Sequence, residues 1–119
     1  MFENVTVRNN EGGGIALSAS GSYPVLKHVT IEGNNNGFGM RVYDTGVLMD
    51  SSEVVNNPAG GIWYEGVGFN PSVYTNSLFH NNGSEGSQFG AIEIKNSGAT
   101  ATFDNCTFYG NQSLSLIHI

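Results

Sequence analysis

Six side chains that could bind a ligand recur at two matching positions of short, similar segments. They are Arg41, Tyr43, Trp63, Glu65, Glu93 and Lys95. Aromatic rings can stack against the apolar faces of sugar rings while their polar surroundings bind hydroxyl groups. Two aromatic residues, two acids and two bases on one face therefore predict contact with polysaccharide or a cell-surface glycan.

A purely structural role is the alternative for the same six residues. Arg41 over Trp63 would be a cation–π pair of the usual kind. Glu65 beside Lys95 would be a cross-strand ion pair worth about 0.2–1 kcal/mol. Under this interpretation the side chains only solvate the surface and tie neighbouring strands together.

The residue pattern supports catalysis less than glycan binding, and the catalytic residues are unknown from the sequence. Glu65 and Glu93 on adjacent strands would come near the roughly 6.5–9.5 Å between carboxyls that inverting glycoside hydrolysis requires. The only aspartates are Asp44, Asp50 and Asp104, and they do not cluster in the sequence. The chain therefore shows no complete catalytic set.

Metal and nucleotide sites are not predicted. His28 and His80 occupy different positions of the repeat described below, so they do not form a ligand pair. The glycine runs at 12–14 and 60–61 lack the Lys-Ser/Thr of a phosphate loop. No cofactor is evident from these residues.

The six residues belong to segments in which inward and outward positions alternate. Strict alternation over five residues is the period of a β-strand. The segments are 14–18, 39–43, 61–65 and 91–95, and their inward residues are Ile15, Met40, Ile62 and Ile92. One outward column then holds Ala16, Arg41, Trp63 and Glu93, and the next holds Ser18, Tyr43, Glu65 and Lys95.

A second pattern returns five times and ends each time in asparagine. A large apolar residue opens it, two further apolar or small positions follow, and Asn closes it two spacers later. The closing residues are Asn10, Asn34, Asn57, Asn82 and Asn111, spaced 24, 23, 25 and 29 positions apart. Periods of this length indicate a repeat in which each unit stacks on its neighbours.

Together the two patterns predict an all-β chain: a right-handed parallel β-helix solenoid of about four and a half rungs. Each rung has 23–29 residues and three short strands. A leucine-rich repeat shares the asparagine frame and is the alternative. The β-helix is favoured because the rest of each repeat alternates between glycines, with few leucines and no helical period. Parallel crossovers are generally right-handed, and the hexapeptide period of left-handed coils is absent.

The repeat resembles the right-handed parallel β-helix proteins of the pectate-lyase-like superfamily. The resemblance covers residues 1 to about 112 and is clearest over Asp104–Asn111. It implies stacked asparagine side chains at one turn, and rungs about 4.8 Å apart would let each amide donate to the next carbonyl. The structural ladder would contain Asn10, Asn34, Asn57, Asn82 and Asn111.

Function is also suggested by this resemblance. It implies a secreted or cell-surface protein that binds or processes polysaccharide, as β-helix lyases and hydrolases do on this type of face. Calcium enters as a cofactor through the resemblance alone. A non-catalytic adhesin stalk is the alternative, because one solenoid scaffold serves many functions.

Composition argues against other partners. Charged residues make up 12% of the chain, the net charge is −6, and the bases are Arg8, Lys27, Arg41 and Lys95. Such a chain lacks the counterion-release drive toward phosphate backbones, so no nucleic-acid partner is expected. No stretch approaches the roughly 20 apolar residues of a membrane span.

The limits of the repeat lead to three further expectations. Residues 1–112 form the β-helix, and residues 113–119 are a non-native tail, because Leu114 to Ile119 resemble the translation of a sequencing adapter. The chain would be an internal piece of a longer solenoid whose open strand edges favour end-to-end association. Insertions at 66–71 and 83–90 would wall the aromatic face.

Overall fold

The computed structural model describes residues 1–18, 23–65, 71–84, 90–94 and 100–112. Across these ranges the chain is all β, with fourteen short strands and no helix. The segments 19–22, 66–70, 85–89, 95–99 and 113–119 lie outside the described residues. Most of both predicted insertions, Lys95 and the predicted tail therefore fall outside them too.

The strands follow one another as three per rung. The first rung contains β1 (Phe2–Glu3), β2 (Thr6–Arg8) and β3 (Ile15–Ser18). The second contains β4 (Val25–Lys27), β5 (Thr30–Glu32) and β6 (Met40–Tyr43), and the third β7 (Leu48–Asp50), β8 (Glu53–Val55) and β9 (Ile62–Glu65). The fourth contains β10 (Ser72–Thr75), β11 (Leu78–His80) and β12 (Ile92–Ile94), and β13 (Ala101–Asp104) and β14 (Thr107–Tyr109) follow.

Corresponding strands of successive rungs pair in parallel and form three sheets. The first sheet runs β1-β4-β7-β10-β13, the second β2-β5-β8-β11-β14 and the third β3-β6-β9-β12. The predicted parallel β-solenoid with three strands per rung is confirmed. A leucine-rich repeat is excluded, because β-strands occupy all three sides of the coil in the described ranges.

Turns between the sheets are built on residues that tolerate a left-handed backbone. Between the first and second sheets φ lies between 50° and 58° at Asn4, His28, Ser51, Asn76 and Asn105. After the second sheet the same region is occupied by Asn9, Gly33, Asn56, Asn81 and Gly110. Asparagine and glycine adopt this conformation at low cost, which explains why both recur at rung intervals.

Apolar side chains form ladders inside the coil, in the predicted register. Leu26 pairs with Met49, Met49 with Tyr74, and Tyr74 with Phe103. The rings of Tyr74 and Phe103 stack with centroids 4.9 Å apart and planes at 9°. A second ladder through Val7, Ile31, Val54, Phe79 and Phe108 fills the other side of the core.

Two tyrosine hydroxyl groups enter this core near Ser72. Burial raises the pKa of both Tyr64 and Tyr74, and hydrogen bonding with Ser72 opposes the shift. Ser72 is itself fully buried and accepts a hydrogen bond from the backbone N–H of Val47 at 3.2 Å. The two phenols therefore stay neutral at physiological pH.

One corner of the coil, after the second sheet, holds a column of five asparagines. The side-chain amides of the first four donate to the side-chain carbonyl of the next residue in the column, and their backbone N–H groups donate to that same oxygen. The amide distances along Asn10, Asn34, Asn57, Asn82 and Asn111 are 2.9, 3.1, 3.0 and 3.0 Å. Amides of the same column also donate to backbone carbonyls. The buried amides are thereby satisfied.

Glycines stand directly beside this asparagine column. Gly14, Gly39 and Gly61 occupy equivalent positions just before β3, β6 and β9. A Cβ atom at Gly61 would lie 2.3 Å from the carbonyl oxygen of Ala91, and one at Gly39 would lie 2.9 Å from the side-chain amide of Asn57. The close approach of backbone and amide therefore requires glycine on these three rungs, whereas the fourth rung has Ala91 at the equivalent position.

Within the described part of the chain there is no helix long and apolar enough to cross a lipid bilayer.

Candidate functional site

The predicted outward face lies on the third sheet. Along β6, Met40 and Val42 are buried, Arg41 is exposed and Tyr43 is half-buried. Successive side chains of a strand point to opposite faces of the sheet, so this alternation directs Arg41 and Tyr43 away from the core.

Strand register brings the predicted residues into two adjacent columns. Arg41 is the partner of Trp63, and Trp63 is the partner of Glu93. Tyr43 is the partner of Glu65 in the second column. Neighbouring strands lie about 4.8 Å apart, so these five residues share one patch on β6, β9 and β12. Lys95 lies outside the described residues.

Arg41 is paired with an aromatic residue on its own strand. Its guanidinium donates a hydrogen bond to the hydroxyl of Tyr43 and lies 5.0 Å from the centroid of that ring. The sequence interpretation named Trp63 as the cation–π partner, whereas the structure shows Tyr43. Residues two apart on a strand point the same way and are about 6.6 Å apart, which an arginine side chain can span.

Trp63 is held by two neighbours. Its indole Nε1–H donates to Oε2 of Glu65 at 2.8 Å. The ring of Phe38 lies 4.9 Å from the indole, with the planes at 51°. The contact seen for Glu65 orients this aromatic side chain. Lys95, its ion-pair partner under the structural interpretation, lies outside the described residues.

Phe38 is a candidate site residue that the sequence analysis missed. It lies in the turn before β6, in a column that otherwise contains Gly13, Gly60 and Gly90. A bulky aromatic residue in a glycine column was the available signal.

A groove of about 310 Å³ lies beside the two rings. Asn36, Phe38, Arg41 and Trp63 line it together with the small residues Gly12, Gly37 and Ala59. A smaller hollow of about 80 Å³ adjoins it toward the first rung and shares Phe38 and Arg41. The two hollows together extend along the coil axis over three rungs.

Three carboxylates neighbour residues that line this groove. Oε2 of Glu11 accepts a hydrogen bond from the side-chain amide of Asn36 at 3.1 Å. Glu65 accepts the indole N–H of Trp63, and Glu93 is the strand partner of Trp63 on the other side. Hydrogen-bond acceptors therefore lie next to the groove, whose own lining holds one charged side chain, Arg41.

The two acids considered for hydrolysis lie on adjacent strands. Because Glu93 pairs with Trp63, Glu65 and Glu93 are offset by two residues, which puts their Cα atoms roughly 8 Å apart. The contact that the structure shows for Glu65 is with the indole of Trp63. This contact orients the indole ring of Trp63.

Histidine and cysteine lie away from this patch. His80 stacks on Tyr109 of the second sheet at 4.8 Å, and Nε2 of His80 is 3.6 Å from Oε1 of Glu53. The thiol of Cys106 donates to the carbonyl oxygen of Tyr74 at 3.3 Å. Among the residues that the structure describes, no three His, Cys, Asp or Glu side chains could hold a metal ion together.

A second polar cluster lies on the outer face of the first sheet. Hydrogen bonds from Thr75, at 2.7 Å, and from Asn76, at 3.0 Å, reach Oδ1 of Asp50. These bonds, in that order of importance, hold the pKa of Asp50 below its ordinary value. Because they join two rungs, the cluster ties the coil together.

A hollow of about 410 Å³ lies at the first-rung end of the coil. Its lining includes Met1, Phe2, Leu17, Tyr23 and Val25. These are mostly apolar residues of the outermost strands, and Phe2 is 44% exposed. The hollow is an uncovered edge of the core, whereas the smaller groove combines aromatic and polar residues.

Comparison with known families agrees with this architecture. A family model described as a right-handed β-helix region matches residues 1–78, which is more than half of the chain. The chain belongs to the right-handed β-helix family. The matched span of this β-helix includes the whole groove, and the right-handed coil predicted from the sequence is confirmed.

No curated protein and no solved structure matches this β-helix.

Proposed function

We propose that this β-helix binds polysaccharide in the groove on its third sheet, as part of a secreted or cell-surface protein. The observation that carries the proposal is the pair of rings, Phe38 and Trp63, 4.9 Å apart on the wall of a groove of about 310 Å³. Stacking on such rings removes the apolar face of a sugar from water. The neighbouring polar groups suit its hydroxyls.

The direction of the groove supports a chain-like ligand. The adjoining hollow continues past Phe38 and Arg41 toward the first rung. One rung advances the coil by about 4.8 Å, so three rungs offer space for consecutive sugar units. Binding in a shallow groove must offset the entropy that the ligand and the side chains lose on association. We therefore expect a dissociation constant of about 0.1–1 mM for a short oligosaccharide.

Binding is tested by removing each ring. Trp63→Ala and Phe38→Ala should each weaken oligosaccharide binding about tenfold or more, since a lost stacking contact is worth about 1.5 kcal/mol. Tyr109→Ala is the matched control, because this tyrosine is 53% exposed but lies on the second sheet. Isothermal titration against a panel of oligosaccharides measures all three. Equal binding by Trp63→Ala and the parent chain would remove this groove from consideration.

A non-catalytic stalk is the second candidate, and one observation favours it. The outward residues are bonded to one another, as in the pairs Arg41–Tyr43 and Trp63–Glu65. Such pairs could serve only to hold the surface. On this reading no member of the panel binds, and Trp63→Ala changes thermal stability alone.

The open strand edges support a further part of the proposal, that the isolated chain associates end to end. In the described ranges the outermost strands are β1, β2 and β3 on one side and β12, β13 and β14 on the other. Unpaired edges of this kind can template pairing with another chain. Static light scattering should show mass rising with concentration, and a constant monomer mass would contradict the idea.

A further inference from the structure

We infer that Tyr43 and Glu65 are positioning residues of the groove and do not contact the ligand themselves. Tyr43 holds the guanidinium of Arg41 in the orientation that binds a glycan. Glu65 does the same for the indole of Trp63. The inference rests on the proposed function and divides the outward residues of the third sheet into a contact column and a supporting column.

The two columns differ in their relation to the groove. Arg41 and Trp63 are partners across β6 and β9, and both line the groove. Tyr43 and Glu65 are also partners, but they lie two residues farther along their strands from the turns that complete the lining. Neither is among the described residues that line the groove. The supporting column therefore lies beside the groove.

Each lining side chain is bonded along its own strand to the supporting column. The guanidinium of Arg41 donates to the hydroxyl of Tyr43 and lies 5.0 Å from the centroid of that ring. The indole Nε1–H of Trp63 donates to Oε2 of Glu65 at 2.8 Å. Residues two apart on a strand point to the same side of the sheet. The same kind of support therefore occurs on two neighbouring rungs.

These bonds restrict side chains that would otherwise sample several rotamers. The bond from the indole of Trp63 to a carboxylate is charge-assisted and therefore stronger than one between neutral groups. A side chain that is already held in its bound orientation has less freedom to lose when the ligand arrives. Each side chain that must be ordered on binding would weaken association about 2–10-fold. The supporting column thus raises affinity without touching the sugar.

Trp63 is the one tryptophan of the chain, so its fluorescence reports the effect of Glu65 directly. Glu65→Leu removes the acceptor, and time-resolved anisotropy of the free protein should show faster motion of the indole. Glu65→Gln keeps a side-chain oxygen and should restore the parent decay. Glu32→Leu is the matched control, because Glu32 is a half-buried glutamate of the second sheet, and it should change nothing. An unchanged decay in Glu65→Leu would overturn the inference.

Titration of the full chain with six-residue glucan, galactan and mannan oligosaccharides measures the effect on binding. For each oligosaccharide that binds, Glu65→Leu and Tyr43→Phe should each raise the dissociation constant about three- to fivefold. Glu65→Gln should restore the parent value. Parent-like binding by Glu65→Leu would make its bond a structural tie only and overturn the inference. If the parent chain binds none of the oligosaccharides, the proposed function fails and the inference fails with it.

Double variants separate positioning from direct contact. Trp63→Phe keeps a ring but has no N–H to donate, so adding Glu65→Leu should change the dissociation constant by less than about twofold. In the same way, Tyr43→Phe should have no larger effect once Arg41→Ala has removed the guanidinium. A larger further loss in either double variant would show that the supporting column contacts the ligand. That result would overturn the inference and leave the proposed function standing.

Discussion

The asparagine column and the aromatic groove are both built from side chains stacked one rung apart, yet they differ in every other respect. The column repeats one residue type on five rungs, and Asn34, Asn57 and Asn82 are fully buried. The groove combines an aromatic pair with Asn36 and Arg41 at one place on the surface. Its key residue, Phe38, interrupts a column of glycines.

The difference shows how a solenoid divides its residues between scaffold and surface. Repetition lets each side chain meet an identical partner at the same distance, which suits a hydrogen-bond ladder. A ligand needs unlike groups side by side, so a site arises where the repeat is broken. In this molecule the departures at Phe38 and Trp63 indicate the candidate site more clearly than any feature that recurs from rung to rung.

The largest effect is expected from breaking the ladder at its centre. In Asn57→Ala, the backbone and side-chain amides of Asn34 lose their shared acceptor, and the carbonyl of Ile31 loses a donor. Buried groups left without partners should lower the free energy of unfolding by about 3–5 kcal/mol. Urea denaturation measures the loss.

Asn10→Ala is the control at the exposed end of the same column, where the side chain only donates to Asn34, and we expect about 1 kcal/mol there. Equal losses at both positions would contradict the view that burial gives the ladder its importance.

A second way to break the ladder is to push its neighbours apart. Gly61→Ala would place a Cβ atom 2.3 Å from the carbonyl oxygen of Ala91, which forces backbone displacement and should cost about 2–4 kcal/mol. Ala91→Gly, the reverse change at the equivalent position of the next rung, should cost about 1 kcal/mol or less. Thermal melts that rank the two variants in the opposite order would show that the close approach is not limiting.

The groove should respond in the opposite sense, with function lost and stability kept. Phe38→Ala removes a half-buried ring from a surface turn, so the free energy of unfolding should fall by no more than about 1 kcal/mol. Oligosaccharide binding should fall about tenfold. Denaturation and titration of the same sample compare the two, and a loss above about 3 kcal/mol would make Phe38 part of the scaffold.

The smallest effect is expected at Asp50. Its cluster lies on the outer surface, as the groove does, and joins two rungs by hydrogen bonds, as the asparagine column does. Its folded pKa is lowered, first by the hydrogen bond from Thr75 and then by that from Asn76. The carboxylate therefore contributes stability above its ordinary pKa of about 3.9, and that contribution is lost as pH falls through the lower, folded value. In Thr75→Val the free energy of unfolding should fall less steeply as the pH is lowered into the acidic range. An unchanged pH dependence would contradict a stabilising role for the hydrogen bonds to Asp50.

Much of the fold could be predicted from residue periods alone. The five closing asparagines lie on one corner, and the predicted inward residues Met40, Ile62 and Ile92 are all buried. These features depend on local alternation and on a constant rung length. Both are visible in the sequence because stacking copies one local arrangement from rung to rung.

The site was less predictable, for reasons that individual residues show. The columns through Arg41 and Trp63 followed from register, but the partner of the guanidinium did not, since Tyr43 and Trp63 are both within reach of an arginine. Phe38 was missed because its importance depends on the open space left by Gly12, Gly37 and Ala59. Sequence periodicity carries no information about such space.

The sequence by itself determined the strands, the rung length and which side chains face the core, because these depend on period-two alternation and on a repeat of about 25 residues. Only the tertiary structure decided which outward groups bond to one another and where a groove opens. Those outcomes depend on side-chain rotamers and on the shape of a turn. The same sequence is compatible with several arrangements of both. Packing against the neighbouring rungs selects among them.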